Sequence, residues 1–456
     1  MKIQTINPTT EEILHTYSLL NQSQVDQRID FAHQRFQTWK KTKLNDRRNL
    51  MFNLAACLRA KQDEFANLMA LEMGKPIAAG KAEIEKCAWV CEYYAESAES
   101  YLTPKMIKTE MKKSMVCYQP LGVVFAVMPW NFPFWQVFRF AAPNIMAGNI
   151  GLLKHASIST GTGEAIAALF LEAGFPKHVF QHLIIDNDMA AHVIAHEHIV
   201  GVTLTGSERA GSSVAGNAGT HLKKAVLELG GSDPYIVLDD ADLDLAARSI
   251  VASRLNNTGQ TCIAAKRIIV VASVADKLIE KILALLADYV VGDPLDPLTK
   301  LGPMARADLR DGLHQQVIKS ISQGAILRVG GVIPKNKGYY YPITMLTDVR
   351  PGMTAFEDEL FGPVFVIITA NDVENAVFLA NKTRFGLAAA IFTRDLKRGE
   401  ALAMHDIDAG TCFVNNMVIS DPRLPFGGIK QSGFGRELSQ EGFLEFMNIK
   451  TVGIHE

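Results

Sequence analysis

Five strongly apolar runs, 121–128, 150–154, 199–205, 234–238 and 267–271, alternate along the chain with stretches of helical periodicity such as 160–173 and 208–218. A strand that is apolar along its whole length is buried on both faces, and parallel strands need a long crossover, usually a helix. The alternation therefore predicts an α/β fold whose parallel sheets are covered by helices on both sides. A second series follows residue 262, with helical patterns at 273–290, 304–323 and 371–383 and strand runs near 363–368 and 388–393. A chain of 456 residues has room for two or three such cores.

The flanks read differently. Ser23 is placed to cap a helix that puts Val25, Ile29, Ala32, Phe36 and Trp39 on one face, and another helical segment stops at Gly74 and Pro76. Ile107, Thr109 and Met111 alternate with Lys108, Glu110 and Lys112, which predicts a polar-faced strand or hairpin within 105–119, and a weaker alternation runs through 443–454. Net charge is −2 with Lys and Arg scattered, so no basic patch for nucleic acid or an anionic membrane is expected. The amino terminus carries Glu11 and Glu12 without an apolar core, and no run reaches the ~18 apolar residues of a membrane helix. A cytoplasmic protein acting on a small molecule is the expectation.

Six cysteines form no CxxC pair, which fits a reducing compartment. Cys87 and Cys91 lie on a helical stripe with Ile84, Ala88, Ala95 and Ala98, a core pattern. Cys262 differs. In NTGQTCIAAKR (257–267) it stands in a polar, glycine-containing turn before a strand, the setting of a nucleophile or of a buried structural thiol. Glu228, in VLELGGSDP, ends an apolar strand before two glycines, where a carboxylate is a general base or a salt-bridge partner. Asn131, held between aromatic and proline residues in MPWNFPFWQVFRF, is an oxyanion donor or only a turn asparagine. In TLTGSERAG (203–211) a strand runs through Thr205, Gly206 and Ser207 into a helix, whose free N–H groups suit a phosphate, although no GxGxxG fingerprint is present. His192, His196 and His198 lack a further ligand set, so a solvated helix face is the simpler reading and no metal is expected.

Together PWNFP (129–133), LLKHAS (152–157), TGS (205–207), ELGG (228–231), GQTC (259–262), EDELFGPV (357–364) and PFGGIKQSGFGRE (425–437) resemble the aldehyde dehydrogenase superfamily in motif and order. The wording is most similar to the short bacterial succinate-semialdehyde dehydrogenases. The resemblance implies the aldehyde dehydrogenase fold. It has a variant dinucleotide-binding domain (1–103 and 120–229), an α/β catalytic domain (230–430) and a small β oligomerisation arm (104–119 and 431–456), assembled as a homodimer or dimer of dimers.

It further implies that Cys262 is the nucleophile, Asn131 with the Cys262 backbone N–H the oxyanion hole, and Glu228 the base that activates water. Met128, Pro129, Trp130, Thr205, Gly206, Ser207 and Leu229 would border the cofactor, Lys154 and Glu359 bind its ribose hydroxyls, and Phe361 pack near the nicotinamide ribose. Ser157, where NAD-preferring relatives commonly carry an acid, is expected to accept the 2′-phosphate, making NADP preferred over NAD; the alternative is that Ser157 only caps a helix. Arg139 would bind the distal carboxylate of succinic semialdehyde with Ser420, while Trp135 and Phe426 line the aliphatic middle; the alternative for Arg139 is an internal salt bridge. Other readings are another small aldehyde, an acylating dehydrogenase using coenzyme A, which should not need Glu228, or a silent protein on the same fold.

Overall fold

The computed structural model describes residues 2–456 and carries two large sheets and two small ones. The first large sheet orders its strands Gly433–Phe434, Lys224–Glu228, Ile199–Thr205, Val123–Met128, Ile150–His155 and Phe180–His182, all parallel except the two-residue edge strand. The second orders Ile326–Val329, Thr344–Thr347, Val364–Ala370, Arg267–Val271, Pro234–Val237, Ala388–Phe392 and Thr411–Val414, parallel except at its first pair. The central strands are buried along their length, Val123–Phe125 and Arg267–Val271 among them, because helices cover both faces. The expected α/β architecture is what the chain adopts.

Helix Gln22–Trp39 buries Val25, Ile29, Ala32, Phe36 and Trp39, the stripe read from the sequence. Its cap is Asn21 rather than Ser23: Asn21 Oδ1 accepts from Gln24 N at 2.9 Å and the Gln24 side chain returns to Asn21 N, a reciprocal capping box. Helix Gln62–Met73 stops at Gly74, whose φ of +78° is the left-handed conformation glycine reaches without strain. Cys87 and Cys91 are buried in helix Ile77–Leu102 with the rest of their stripe.

Strands Lys105–Ile107, Lys113–Pro120 and Met447–Ile454 form a separate antiparallel sheet, as the two alternating segments predict. The 431–456 piece divides between two sheets. Within 431–456, Gly433 and Phe434 pair with Glu228 and Leu227 on the first large sheet, and helix Ser439–Leu444 packs against helix Trp135–Ala147, so only the stretch from Met447 belongs to the small sheet. Gly433 explains the docking: its φ is +122°, and a Cβ there would lie 2.0 Å from Leu227 O. Among the described residues no helix is long and apolar enough to cross a membrane.

Candidate active site

Cys262 follows a turn in which Asn257, Thr258 and Gly259 have φ of 53°, 56° and 74°. Left-handed backbone at non-glycine residues costs about 1–3 kcal/mol each, so something must hold it. Asn257 Nδ2 donates to Asn131 O at 2.7 Å, and Gln260 Oε1 accepts from Ala305 N at 3.0 Å. The buried Arg254 guanidinium donates to the carbonyl of Leu360 at 2.8 Å and to that of Gly362, tying the turn to the loop that bears Glu359.

The second wall is the loop between strand Val123–Met128 and helix Trp135–Ala147. Glu83 Oε1 accepts from Phe134 N and Trp135 N, both at 2.9 Å, which caps the helix. Its other oxygen pairs with Lys75, both side chains buried, and the Lys75 ammonium lies 3.8 Å from the centroid of the half-buried Phe132 ring. Asn131 Nδ2 donates to Gln260 O at 3.0 Å, leaving its second N–H for another acceptor.

These walls enclose two cavities that share Cys262 and Gln136. The first, ≈ 260 Å³, is bordered by Lys86, Phe132, Trp135, Arg139, Ser420 and Phe426. The second, ≈ 250 Å³, is bordered by Pro129, Trp130, Asn131, Thr205, Gly206, Ser207, Leu229, Glu359 and Phe361, with Trp130 and Phe361 packed edge to face at 5.9 Å. Burial pushes the Cys262 thiol up to about 11, against the opposing pull of Lys266 and Arg139, so it rests protonated and needs a proton acceptor to become a nucleophile.

Glu228 ends its strand opposite Thr205 and Gly433. Its carboxylate is buried without a hydrogen bond and stands off both cavity walls. Burial pushes its pKa up to about 8; Arg139 opposes the rise and Glu437 adds to it. A carboxyl held there is poised to take up and release a proton near neutrality.

Arg139 has a charged partner within the protein. It borders the first cavity with Trp135, Ser420 and Phe426, but its guanidinium is ion-paired with Glu437, both side chains buried, and stacks over Phe426 at 4.6 Å. The internal salt bridge is therefore the arrangement present, because Glu437, brought in by the sheet-docked 433–437 segment, is the nearest counter-charge. Ser420 Oγ accepts instead from Lys86 Nζ at 2.9 Å.

On the other side, Ser207 caps helix Glu208–Thr220, accepting from Ala210 N at 3.3 Å, and the helix N-terminus opens beside Gly206. Met128, Lys154 and Ser157 are not on the second cavity's wall; they lie farther along the same carboxyl edge of the sheet, where Met128 O accepts from Ala156 N at 2.9 Å. Ser157 is exposed, and the residue preceding helix Thr160–Glu172 is Ser159, so the Ser157 hydroxyl is not that helix's cap. A further cavity of ≈ 330 Å³ lies between helices Asn187–Ala195 and Glu208–Thr220, bordered by Val127 and Leu204 at the strand ends. Glu359 pairs with Lys266 at 2.8 Å and accepts from Gly231 N at 3.2 Å.

His192 bonds Asp26 at 2.6 Å and His198 stacks on His33 at 3.9 Å; among the described residues no group of three His, Cys, Asp or Glu side chains is arranged to hold a metal. Sequence reasoning missed Lys86, Gln136, Lys266 and Glu437. Lys86 carried one signal, a cation three residues after Glu83 on the helix that also bears the Cys87 and Cys91 stripe.

Residues 1–452 match the Aldehyde dehydrogenase family. A Synechocystis sp. protein named "Probable succinate-semialdehyde dehydrogenase (NADP(+))" is 48% identical over 454 residues, covering 100% of both chains. The Escherichia coli (strain K12) "Succinate semialdehyde dehydrogenase (NAD(P)+) Sad" is 46% identical over 98% of this chain and 96% of its own. Among solved structures, succinic semialdehyde dehydrogenase from Streptococcus pyogenes in complex with NADP+ superposes with a TM-score of 0.97 at 37% identity, covering 100% of both chains.

Proposed function

The chain belongs to the aldehyde dehydrogenase family, and from that premise we propose that it oxidises succinic semialdehyde to succinate with NADP as the preferred acceptor and NAD as a second. The observation that carries this reading is the position of Cys262 on the walls of two cavities at once, so that a thiol, a small aldehyde and a nicotinamide can meet at one point. The aldehyde cavity, at ≈ 260 Å³, is below the ~300–1,000 Å³ of sites for drug-sized ligands, which suits a four-carbon substrate.

Cys262 gives its proton to water, its thiolate Sγ attacks the aldehyde carbon, and the second N–H of Asn131 with the Cys262 backbone N–H holds the oxyanion that forms. The nicotinamide, when bound, supplies a hydride acceptor that leaves the substrate as a thioester on Cys262. Glu228 then takes a proton from the water that hydrolyses this thioester, and the carboxylate product leaves as the Cys262 thiol re-forms. The residues present fit the cofactor: a capped helix N-terminus at Ser207 for the pyrophosphate, Glu359 and Lys154 for ribose hydroxyls, Phe361 and Trp130 as apolar walls, and the exposed Ser157 for a 2′-phosphate.

Within this reading residues 1–103 and 120–229, joined by the 433–446 piece, form the cofactor domain. Residues 230–430 carry the cysteine, and the exposed sheet bearing Met106, Ile107, Ile449 and Ile454 joins subunits into a homo-oligomer of this cytoplasmic enzyme. A panel of aldehydes assayed with NAD and with NADP tests the proposal. Highest kcat/KM for succinic semialdehyde with NADP supports it, and a better unsubstituted aldehyde overturns the substrate.

A further inference from the structure

One buried side chain ties the residue that bears the thiol to the wall of the second cavity. Lys266 immediately precedes strand Arg267–Val271, and its ammonium donates to the Cys262 carbonyl oxygen and pairs with Glu359 Oε1 at 2.8 Å. It also lies 5.7 Å from the Phe361 ring centroid. Glu359 is held from a second side by Gly231 N, at 3.2 Å. Arg254, the other cation that faces Glu359, uses its donors on the carbonyls of Gly259, Leu360 and Gly362.

The charges facing Cys262 come from several elements. Lys266 and then Arg139 favour its thiolate, while Glu228 and Asp233 oppose it. Lys86 and Glu83 share the wall of the aldehyde cavity with it. Most of these are matched elsewhere: Arg139 pairs with Glu437 and Glu83 with Lys75. Asp233 also faces Lys266, but burial pushes its carboxyl up to about 7, and Asp233 Oδ1 accepts from Ala388 N at 3.1 Å. Glu359 is therefore the carboxylate against which Lys266 is balanced. A cation withdrawn from water acts strongly on a neighbouring ionisable group, and a carboxylate at its side weakens that action.

We propose that Lys266 is a positioning residue for the nucleophile: its ammonium holds the main chain at Cys262 and favours the thiolate form of Sγ, and Glu359 tempers that field from the cofactor side. The two side chains then act on the thiol with opposite sign. This rests on the reading above that Cys262 is the nucleophile.

The test uses the enzyme free of cofactor and aldehyde. Alkylation of Cys262 by iodoacetamide at about pH 8 is timed by mass analysis of the peptide that carries it, in wild type, Lys266→Met, Lys266→Arg and Glu359→Gln. Only the thiolate reacts and the reagent is uncharged, so below the thiol's pKa the rate follows the thiolate fraction. Lys266→Met should lower the rate about threefold or more, Lys266→Arg should lose less because it keeps the charge, and Glu359→Gln should raise the rate about twofold or more. Loosening of the fold would move Lys266→Met and Glu359→Gln the same way. A smaller fall in Lys266→Met, as large a fall in Lys266→Arg, or a smaller rise or a fall in Glu359→Gln overturns the assignment. Should Lys266→Met not fold, Lys266→Gln is judged by the same criterion, and the sign of the change in Glu359→Gln stands by itself. A wild-type enzyme that reduces no NADP with any aldehyde removes the nucleophile reading, a failure distinct from an active wild type whose alkylation is indifferent to Lys266.

Discussion

Arg139 and Glu437 form a buried ion pair beside the Glu228 carboxylate, so the charge state of the proposed base is set by two side chains of opposite sign. Glu437 raises the Glu228 pKa and Arg139 lowers it. A base works deprotonated, so hydrolytic turnover should rise with pH through the Glu228 pKa. Glu437→Gln should move that acid limb to lower pH and Arg139→Met to higher pH. Profiles of kcat against pH check the signs, and shifts in the same direction would disconnect the pair from Glu228. Each variant also leaves a buried partner unmatched, at a cost of about 3–5 kcal/mol in urea unfolding.

Glu83 links a buried ion pair to the loop that carries Asn131. Glu83→Gln keeps an acceptor for Phe134 N and Trp135 N but leaves Lys75 without a counter-charge. The expected outcome is a loss of about 3–5 kcal/mol in stability and, because small misplacements near the reacting atoms are costly, a fall of about tenfold or more in kcat. Unchanged kcat in a folded variant would show that the anchor does not govern Asn131.

Ser157 is exposed and does not cap helix Thr160–Glu172, which leaves its hydroxyl for a 2′-phosphate. Ser157→Glu places a negative charge there. The ratio of kcat/KM for NADP to that for NAD should fall about tenfold or more, since like charges brought together typically cost over 1 kcal/mol. A wild-type preference for NAD would refute the premise before the variant is made.

The sequence was informative where burial dictates residue type. Arg267–Val271 is buried throughout and Ile199–Thr205 at every residue but the half-buried Val200, so their apolar character marks them as central strands. The edge strand Ile326–Val329 is exposed at all four residues, and the two-residue strand Gly433–Phe434 is too short for a period; neither pattern is legible locally. The same divide runs through the site. Cys262, Asn131 and Glu228 sit in motifs whose local chemistry is recognisable, whereas the partners of Arg139 and Ser420 arrive from distant segments. Glu437 comes with a docked edge strand and Lys86 from a helix whose neighbouring stripe reads as plain core. Pairings of that kind depend on tertiary placement, and spacing along the chain does not reveal them.

The most direct test of a Cys262 thioester resolved by Glu228 combines stopped-flow detection of reduced cofactor with intact-mass analysis of the Glu228→Gln enzyme, mixed with succinic semialdehyde and NADP. The account predicts a burst of close to one NADPH per active site, then slow turnover, with one succinyl group on Cys262 in the quenched protein and neither burst nor adduct in Cys262→Ala. Full steady turnover in Glu228→Gln with no adduct, or cofactor reduction in Cys262→Ala, would contradict it.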